Sequence, residues 1–463
     1  MFVTDRFVPE SYDGFVVGSG PAGVSLSLAL AAAGKRVLIF ESGDADSTRS
    51  ELSNSVGYGH YSGEYWNQHW FRALGGTSNV WTGWCATLRE LDLDNPVVGA
   101  RWPIPRAELL PYWRKAAPIL DHDPAFVDVE TPLLPGFNYR PVPTENPTRI
   151  GRKYLTTLQT SPRVDVALGR TLVGLDANAA RSAVTALDYV DHQLRFKRRM
   201  TVRPGQFVVV AAGAMGNAQL LLQPRDDGAV SVGNESGHVG KFLMEHPQFT
   251  DAGECVLDEE LDRYWPEANK GTGMHAVAPD KAYSIAHGLY GCGLQCFRKT
   301  ADHPMARYLS SELRKPMFHY DMTARSEMLP VERNRVVLTA ERDRWGLCRP
   351  AARCVLDARD FFNVEQTMRL LGETLIRLGK GRVRVNNDRI YKGIEGEGHT
   401  LGTTRMGDNP STSVVNAHCG VHGYTNLFVA GSSVFPSGGY SNPTLTIVAL
   451  ALRLADRIAG TRS

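Results

Sequence analysis

Cysteine is scarce and odd in number. Seven are scattered over 463 residues, at 85, 255, 292, 296, 348, 354 and 419. That density excludes a disulfide-built scaffold, and the one close pair, Cys292 and Cys296, has no second Cys or His pair at zinc spacing, so no metal is expected. Charge of one sign is missing too. Lys+Arg number 51 and Asp+Glu 49, a net charge of +2, which offers no general attraction to nucleic acid or an anionic membrane. No apolar run approaches the ~18 residues of a membrane span. Residues 1–10 are mixed and charged, unlike a secretory leader. The expectation is a cytoplasmic protein with reduced thiols, no membrane span and no nucleic-acid partner. With 43% apolar and 22% charged residues, disordered and fibrous classes are also excluded. The length suits two to three domains of ~150 residues.

Glycine, by contrast, is plentiful, 45 in all. An apolar run, Gly14-Phe-Val-Val17, leads straight into Gly18-Ser-Gly20-Pro-Ala-Gly23. An Ala/Leu-rich stretch follows to Gly34, then Arg36-Val-Leu-Ile-Phe40 and Glu41. This is strand, glycine turn, helix, strand and acid, a complete βαβ dinucleotide fingerprint. Gly18 allows the tight turn, Gly20 the approach of backbone to a pyrophosphate, and Gly23 close packing of helix on strand. The helix start offers free N–H groups to phosphate. Glu41 stands where a ribose-binding acid belongs, which disfavours NADP but leaves FAD and NAD both open.

Further along, residues 164–196 alternate in the manner of a small β-meander. Residues 207–213 form a buried strand ending on glycine, with a helix beginning at 218–222. From about 247 to 384 the texture changes to short β-like stretches, including 255–257 and 335–339, with an amphipathic helix over 361–378. Near the end, Leu427-Phe-Val-Ala430 and Gly431-Ser-Ser433 precede Asn442-Pro443 and a long apolar helix, with Asn at its N-cap and Pro at N1. The last strand–glycine–helix unit is needed to complete the nucleotide sheet. The fold class is therefore α/β. A discontinuous Rossmann-type domain takes residues 1–95, 150–246 and 390–463. A second domain on an antiparallel β-sheet takes 247–389, with 96–149 as cap and loop segments.

Two positions suggest chemistry. His399 sits in a glycine-flanked turn and suits a general base, with an ordinary pKa of ~6.5. Asn442 is foremost a helix cap, but a helix start aimed at a flavin also brings its positive end to the ring's pyrimidine edge.

Five segments occur in order: the N-terminal fingerprint, Leu74-Gly-Gly-Thr-Ser-Asn-Val-Trp81-Thr, Met244-Glu-His-Pro247, His399-Thr-Leu-Gly-Thr-Thr-Arg-Met406 and Asn442-Pro-Thr-Leu-Thr446. Together they resemble the glucose–methanol–choline (GMC) flavoprotein oxidoreductases, pyranose 2-oxidase branch. The resemblance runs from about 12 to 458 and is weak between 250 and 385. It implies an FAD domain, a substrate domain and a catalytic pair, His399 and Asn442. It places the cofactor against Gly18, Gly20, Pro21, Ala22, Gly23, Glu41, Ser42, Gly75, Gly76, Thr77, Asn79, Trp81, Thr82, Ala212, Gly213, Gly431, Ser432, Pro443 and Thr444. The position that carries a flavin-linked histidine in pyranose 2-oxidase is Val80 here, which implies non-covalent FAD. The chain is also short for the family.

The resemblance implies oxidation of a CH–OH group in a sugar, amino sugar or polyol, with oxygen or another electron acceptor taking the electrons. A flavin-retaining lyase and an NAD-dependent dehydrogenase are the alternatives. The acidic run Asp258-Glu259-Glu260 with Asp262 is a candidate receptor for an amine-bearing sugar such as an aminoglycoside intermediate.

Overall fold

The computed structural model describes residues 2–3, 7–46, 51–52, 55–143, 147–225, 228–265, 273–299 and 303–460. The fingerprint folds as its spacing requires: β1 (Gly14–Val17), α1 (Pro21–Ala32) and β2 (Val37–Phe40). Both strands are buried along their whole length, as a sheet covered on two faces demands. Five parallel strands lie in the order Val164–Ala167, β2, β1, Phe207–Val210 and Leu427–Val429. The order reverses between β1 and Phe207–Val210, so the loops leaving these two strands part and open a crevice at their carboxyl ends. The C-terminal helix Thr444–Ala459 packs against α1, so the chain's two ends close the same body.

The second sheet is antiparallel and eight-stranded. Its central strands Pro247–Leu257, Phe318–Ser326 and Cys292–Arg298 pair in sequence, and Gly273–Pro279, Phe137–Pro143 and Thr131–Leu134 extend it on one side. Gly381–Val385 and Ile394–Gly396 both pair with the other edge of Pro247–Leu257. The amphipathic helix Ala358–Arg377 packs on this sheet, its start fixed by a reciprocal cap between Asp357 and Asp360.

Three local expectations shift. The meander begins later than 164, because Val164–Ala167 joins the parallel sheet and only Arg170–Ala177, Val184–Asp191 and Phe196–Thr201 form the antiparallel set. The helix expected from 218 starts at Gly213, where Asn217 Oδ1 accepts from Ala212 N–H at 2.7 Å and ties down the first turn. The third shift concerns Asn442. The helix starts at Thr444 with no side-chain cap, because the Asn442 side chain is engaged elsewhere.

Candidate active site

A cavity of about 380 Å³ opens at the crevice between β1 and Phe207–Val210. Gly18, Gly20, Pro21 and Ala22 line its floor, with Glu41 and Ser42 beyond β2. Gly76, Thr77, Trp81 and Thr82 form one wall, and Ala212, Gly213, Gly431 and Ser432 the wall opposite. His399, Asn442, Pro443 and Thr444 complete it. Three expected residues stand behind the wall. A Cβ on Gly23 would lie 2.0 Å from Gly18 O, so its absence lets helix meet strand. Gly75, at φ +92°, leaves room for Gly151, and the Asn79 amide donates to Leu74 O and Gly76 O, bracing the loop.

The cavity wall fits a dinucleotide in two ways. A Cβ on Gly20 would meet nothing in the protein closer than Gly76 Cα at 4.0 Å, so the space it leaves faces the cavity alone. Two helix N-termini, those of α1 and Thr444–Ala459, border the same cavity and can receive anionic groups at two separate points. Glu41 is buried, with Oε2 accepting from Ser19 N–H and Oγ–H and Oε1 from Gly43 N–H. Val80 lines the cavity with no nucleophile, and none of the seven cysteines does.

His399 and Asn442 meet at the end of the cavity, with His399 Nε2 3.3 Å from Asn442 Nδ2. Asn442 Oδ1 accepts from Arg325 Nη1 at 2.7 Å, and Arg325 Nη2 stands 2.7 Å from Glu397 Oε2. His399 Nδ1 is 3.0 Å from His246 Nδ1, whose Nε2 lies 3.3 Å from Gly438 O. One oxygen of Glu245 accepts the backbone N–H of both His246 (2.9 Å) and His399 (2.7 Å), clamping the two histidine-bearing segments together. Gly398 N–H donates to Tyr65 Oη, and Ser432 Oγ to Thr400 O, so the His399 turn is held on both sides.

Burial sets the electrostatics. It holds His399 well below the usual histidine range, with His246, Arg325 and His69 adding to the shift. His246 is pushed down to about 3, first by burial and then by Arg325. Burial also pushes Glu245 up to about 7, and Glu327, which accepts from Gly438 and Gly439 N–H, to about 7. His399 therefore presents neutral imidazole at neutral pH, the form that accepts a proton.

Sequence reasoning missed Arg325, Glu397 and the contact role of His246. Glu397 had a weak signal, an acid two residues before the candidate base. Arg325 had none, since it reaches the site from the antiparallel strand Phe318–Ser326, 117 residues from its partner. The acidic run Asp258–Asp262 is not at the cavity. Asp258 pairs with Lys315, Glu259 with Arg263 and Lys380, Glu260 with Arg298 and Asp262 with His275. Among the described residues, Glu254, His303 and His319 bring ligand-type atoms within 4.8 Å of one another. The two imidazoles stack face to face at 3.6 Å and 6°, so their in-plane lone pairs run parallel and do not converge on an ion. No helix among the described residues is long and apolar enough to cross a membrane.

Residues 330–451 match the family model described as GMC oxidoreductase. Paromamine 6'-oxidase of Streptomyces fradiae is 27% identical over 516 residues, covering 97% of this chain and 91% of its own. The fructose dehydrogenase large subunit of Gluconobacter japonicus is 26% identical, and there the match spans 60% of this chain and about half, 51%, of the relative. Likeness to pyranose 2-oxidase of Tricholoma matsutake is local, 42% over 60 residues, covering 13% of this chain and 11% of that protein. Formate oxidase of Aspergillus oryzae RIB40 shares the fold, with a TM-score of 0.59 at 15% identity over 97% of this chain and 98% of its own. Residues 330–451 thus carry a GMC oxidoreductase C-terminal domain, and the chain as a whole has the fold of formate oxidase.

Proposed function

We propose that this chain oxidises a CH–OH group of a sugar, amino sugar or related polyol, with His399 as base and Asn442 as its partner. The observation that carries this reading is the 3.3 Å approach of His399 Nε2 to Asn442 Nδ2 on the cavity wall. An alcohol oxygen seated between these two atoms loses its proton to Nε2, and the Asn442 N–H holds the alkoxide that forms. Bound FAD supplies the hydride acceptor, and the electrons then pass to oxygen or another acceptor. The protein's part is to orient the C–H bond and keep the base neutral.

Gly18, Gly20, Pro21 and Ala22 would cradle the pyrophosphate, and Glu41 and Ser42 the ribose. Gly76, Thr77, Trp81 and Thr82 would lie along the flavin, with Gly213, Gly431 and Ser432 opposite. With Val80 at the family's linkage position, the FAD is non-covalent. The parallel sheet with both chain ends would form the cofactor domain, and the antiparallel sheet, which supplies Arg325, the substrate side. Glu397 gives the cavity wall an acid for the ammonium group of an amino sugar, in keeping with the similarity to paromamine 6'-oxidase. Seven reduced, buried thiols suit a cytoplasmic enzyme.

Anaerobic mixing of the yellow protein with sugars, amino sugars and aminoglycoside intermediates tests the reading. Bleaching of the flavin bands by one of these alcohols, reversed by air or an added acceptor, supports it. A flavin that no CH–OH compound bleaches would favour chemistry without net redox and overturn it.

A further inference from the structure

His246 is buried completely and does not line the cavity, yet it makes the one side-chain contact to the inner nitrogen of the candidate base among the described residues. Its own surroundings leave it a single arrangement. Gly438 O can only accept, so the His246 Nε2 that lies 3.3 Å away carries a hydrogen. In a neutral ring His246 Nδ1 is then bare and accepts, and the partner at 3.0 Å, His399 Nδ1, must donate. That leaves His399 Nε2 without a hydrogen, facing Asn442.

The other end of the chain agrees independently. Arg325 has only donors, so the Asn442 atom it meets at 2.7 Å is the carbonyl oxygen. The amide nitrogen is left to face His399 Nε2, and a nitrogen bearing hydrogens requires a bare partner. Two anchors at opposite ends, a backbone carbonyl and a guanidinium, thus impose one proton arrangement on the three side chains between them.

We propose that His246 is a positioning residue that holds His399 in its Nδ1–H tautomer, so that the lone pair of Nε2 points at the substrate oxygen. The inference rests on the reading of His399 as base. When the alcohol proton arrives on Nε2, His399 becomes an imidazolium whose Nδ1–H still has a full acceptor in His246, so no group has to turn during the step. Without His246 the Nδ1–H loses its acceptor, and only the Asn442 amide at 3.3 Å opposes a hydrogen on Nε2, the form that cannot take the proton. The charged or titratable groups whose fields reach His246 are His399, Arg325 and Asp92.

Two measurements decide the proposal. In the oxidised wild-type holoprotein, ¹⁵N NMR of His399, assigned from the resonances lost in H399N, is expected to show Nδ1 protonated and Nε2 bare. A proton on Nε2 overturns the proposal, whether or not any alcohol is turned over. The second measurement uses the alcohol that bleaches the wild-type flavin fastest. His246→Leu, which offers no acceptor, is expected to slow flavin reduction at saturating alcohol by about 10–10³-fold, with FAD content and alcohol dissociation constant unchanged; wrong-tautomer variants of a triad histidine lose up to ~10⁴-fold. His246→Asn, whose Oδ1 replaces Nδ1, is expected to recover most of that loss. A His246→Leu protein reduced as fast as wild type, or a His246→Asn protein as slow as His246→Leu with full FAD, overturns it. A flavin that no alcohol bleaches refutes the base assignment, while the NMR result still decides the tautomer.

Discussion

Arg325 Nη1 donates to Asn442 Oδ1 at 2.7 Å, and this bond takes the asparagine away from the helix end it was expected to cap. The consequence is a different mutant phenotype. Were Asn442 an N-cap, serine would replace it at little cost. Serine is too short to reach the buried guanidinium and leaves its Nη1 unpaired, at about 1–3 kcal/mol. Asn442→Ser is therefore expected to lower the melting temperature and to slow flavin reduction together, while FAD stays bound. Calorimetry and stopped-flow absorbance check the two effects. A variant unchanged in both would remove Asn442 from the site.

Gly20 and Gly23 belong to one motif, but their surroundings differ. A Cβ on Gly20 projects into free space, whereas one on Gly23 would lie 2.0 Å from the backbone oxygen of Gly18. Gly20→Val is expected to fold with a near-normal circular dichroism spectrum and to bind no FAD, the side chain filling the place of the pyrophosphate. Gly23→Val is expected to lose the fold itself. FAD at full occupancy in Gly20→Val would contradict the cradle.

The difference between those two glycines also shows what the sequence makes legible. The fingerprint is local: strand, turn, helix and acid lie within residues 14–41, and each carries its own periodicity or turn chemistry. The reactive end is assembled from afar. Arg325 comes from the far end of an antiparallel strand, where one long polar residue in an alternating pattern is indistinguishable from a solvent-facing one. Asn442 misled because Asn-Pro before an apolar helix is the local signature of a cap, and only a tertiary partner overrides it. Residues 164–167 alternate like a meander strand yet pair with β2, since short β runs do not announce their partners. The acidic run 258–262 was visible as charge, but the cations that neutralise it lie mostly elsewhere in the chain.

Acid should destabilise the protein through its buried histidines. His246 has a folded pKa of about 3 against 6.5, so the unfolded chain binds its proton first. Its stabilisation is complete above 6.5 and is lost as pH falls towards 3. Glu245 and Glu327 act in the opposite sense, with folded values of about 7 against 4.5: their contribution is complete below 4.5 and is lost as pH rises to 7. Between 4.5 and 6.5 the two slopes oppose; below 4.5 the histidines act without that opposition. The melting temperature is expected to vary little from pH 6.5 to 4.5 and then to fall. The fall should be shallower in His246→Asn. Parallel acid limbs in the two proteins would show that His246 titrates normally.

The same burial decides how the activity should depend on pH. An ordinary histidine base would lose half its activity near pH 6.5. His399 is held well below that value by burial and by the nearby His246, Arg325 and His69. Only neutral imidazole accepts the proton, so the rate constant for flavin reduction should stay level as pH drops through 6.5 and decline only in more acid solution. His399→Ala is expected to retain FAD and fold and to slow reduction by a factor on the order of 10²–10⁴, the usual worth of a positioned base. Its acid limb should be absent, because the group that titrates is gone. Stopped-flow reduction from pH 8 down to the limit of stability distinguishes the cases. A wild-type profile that halves near 6.5 would mean that water reaches His399 in the working enzyme. A fully active His399→Ala protein would mean that another group takes the proton.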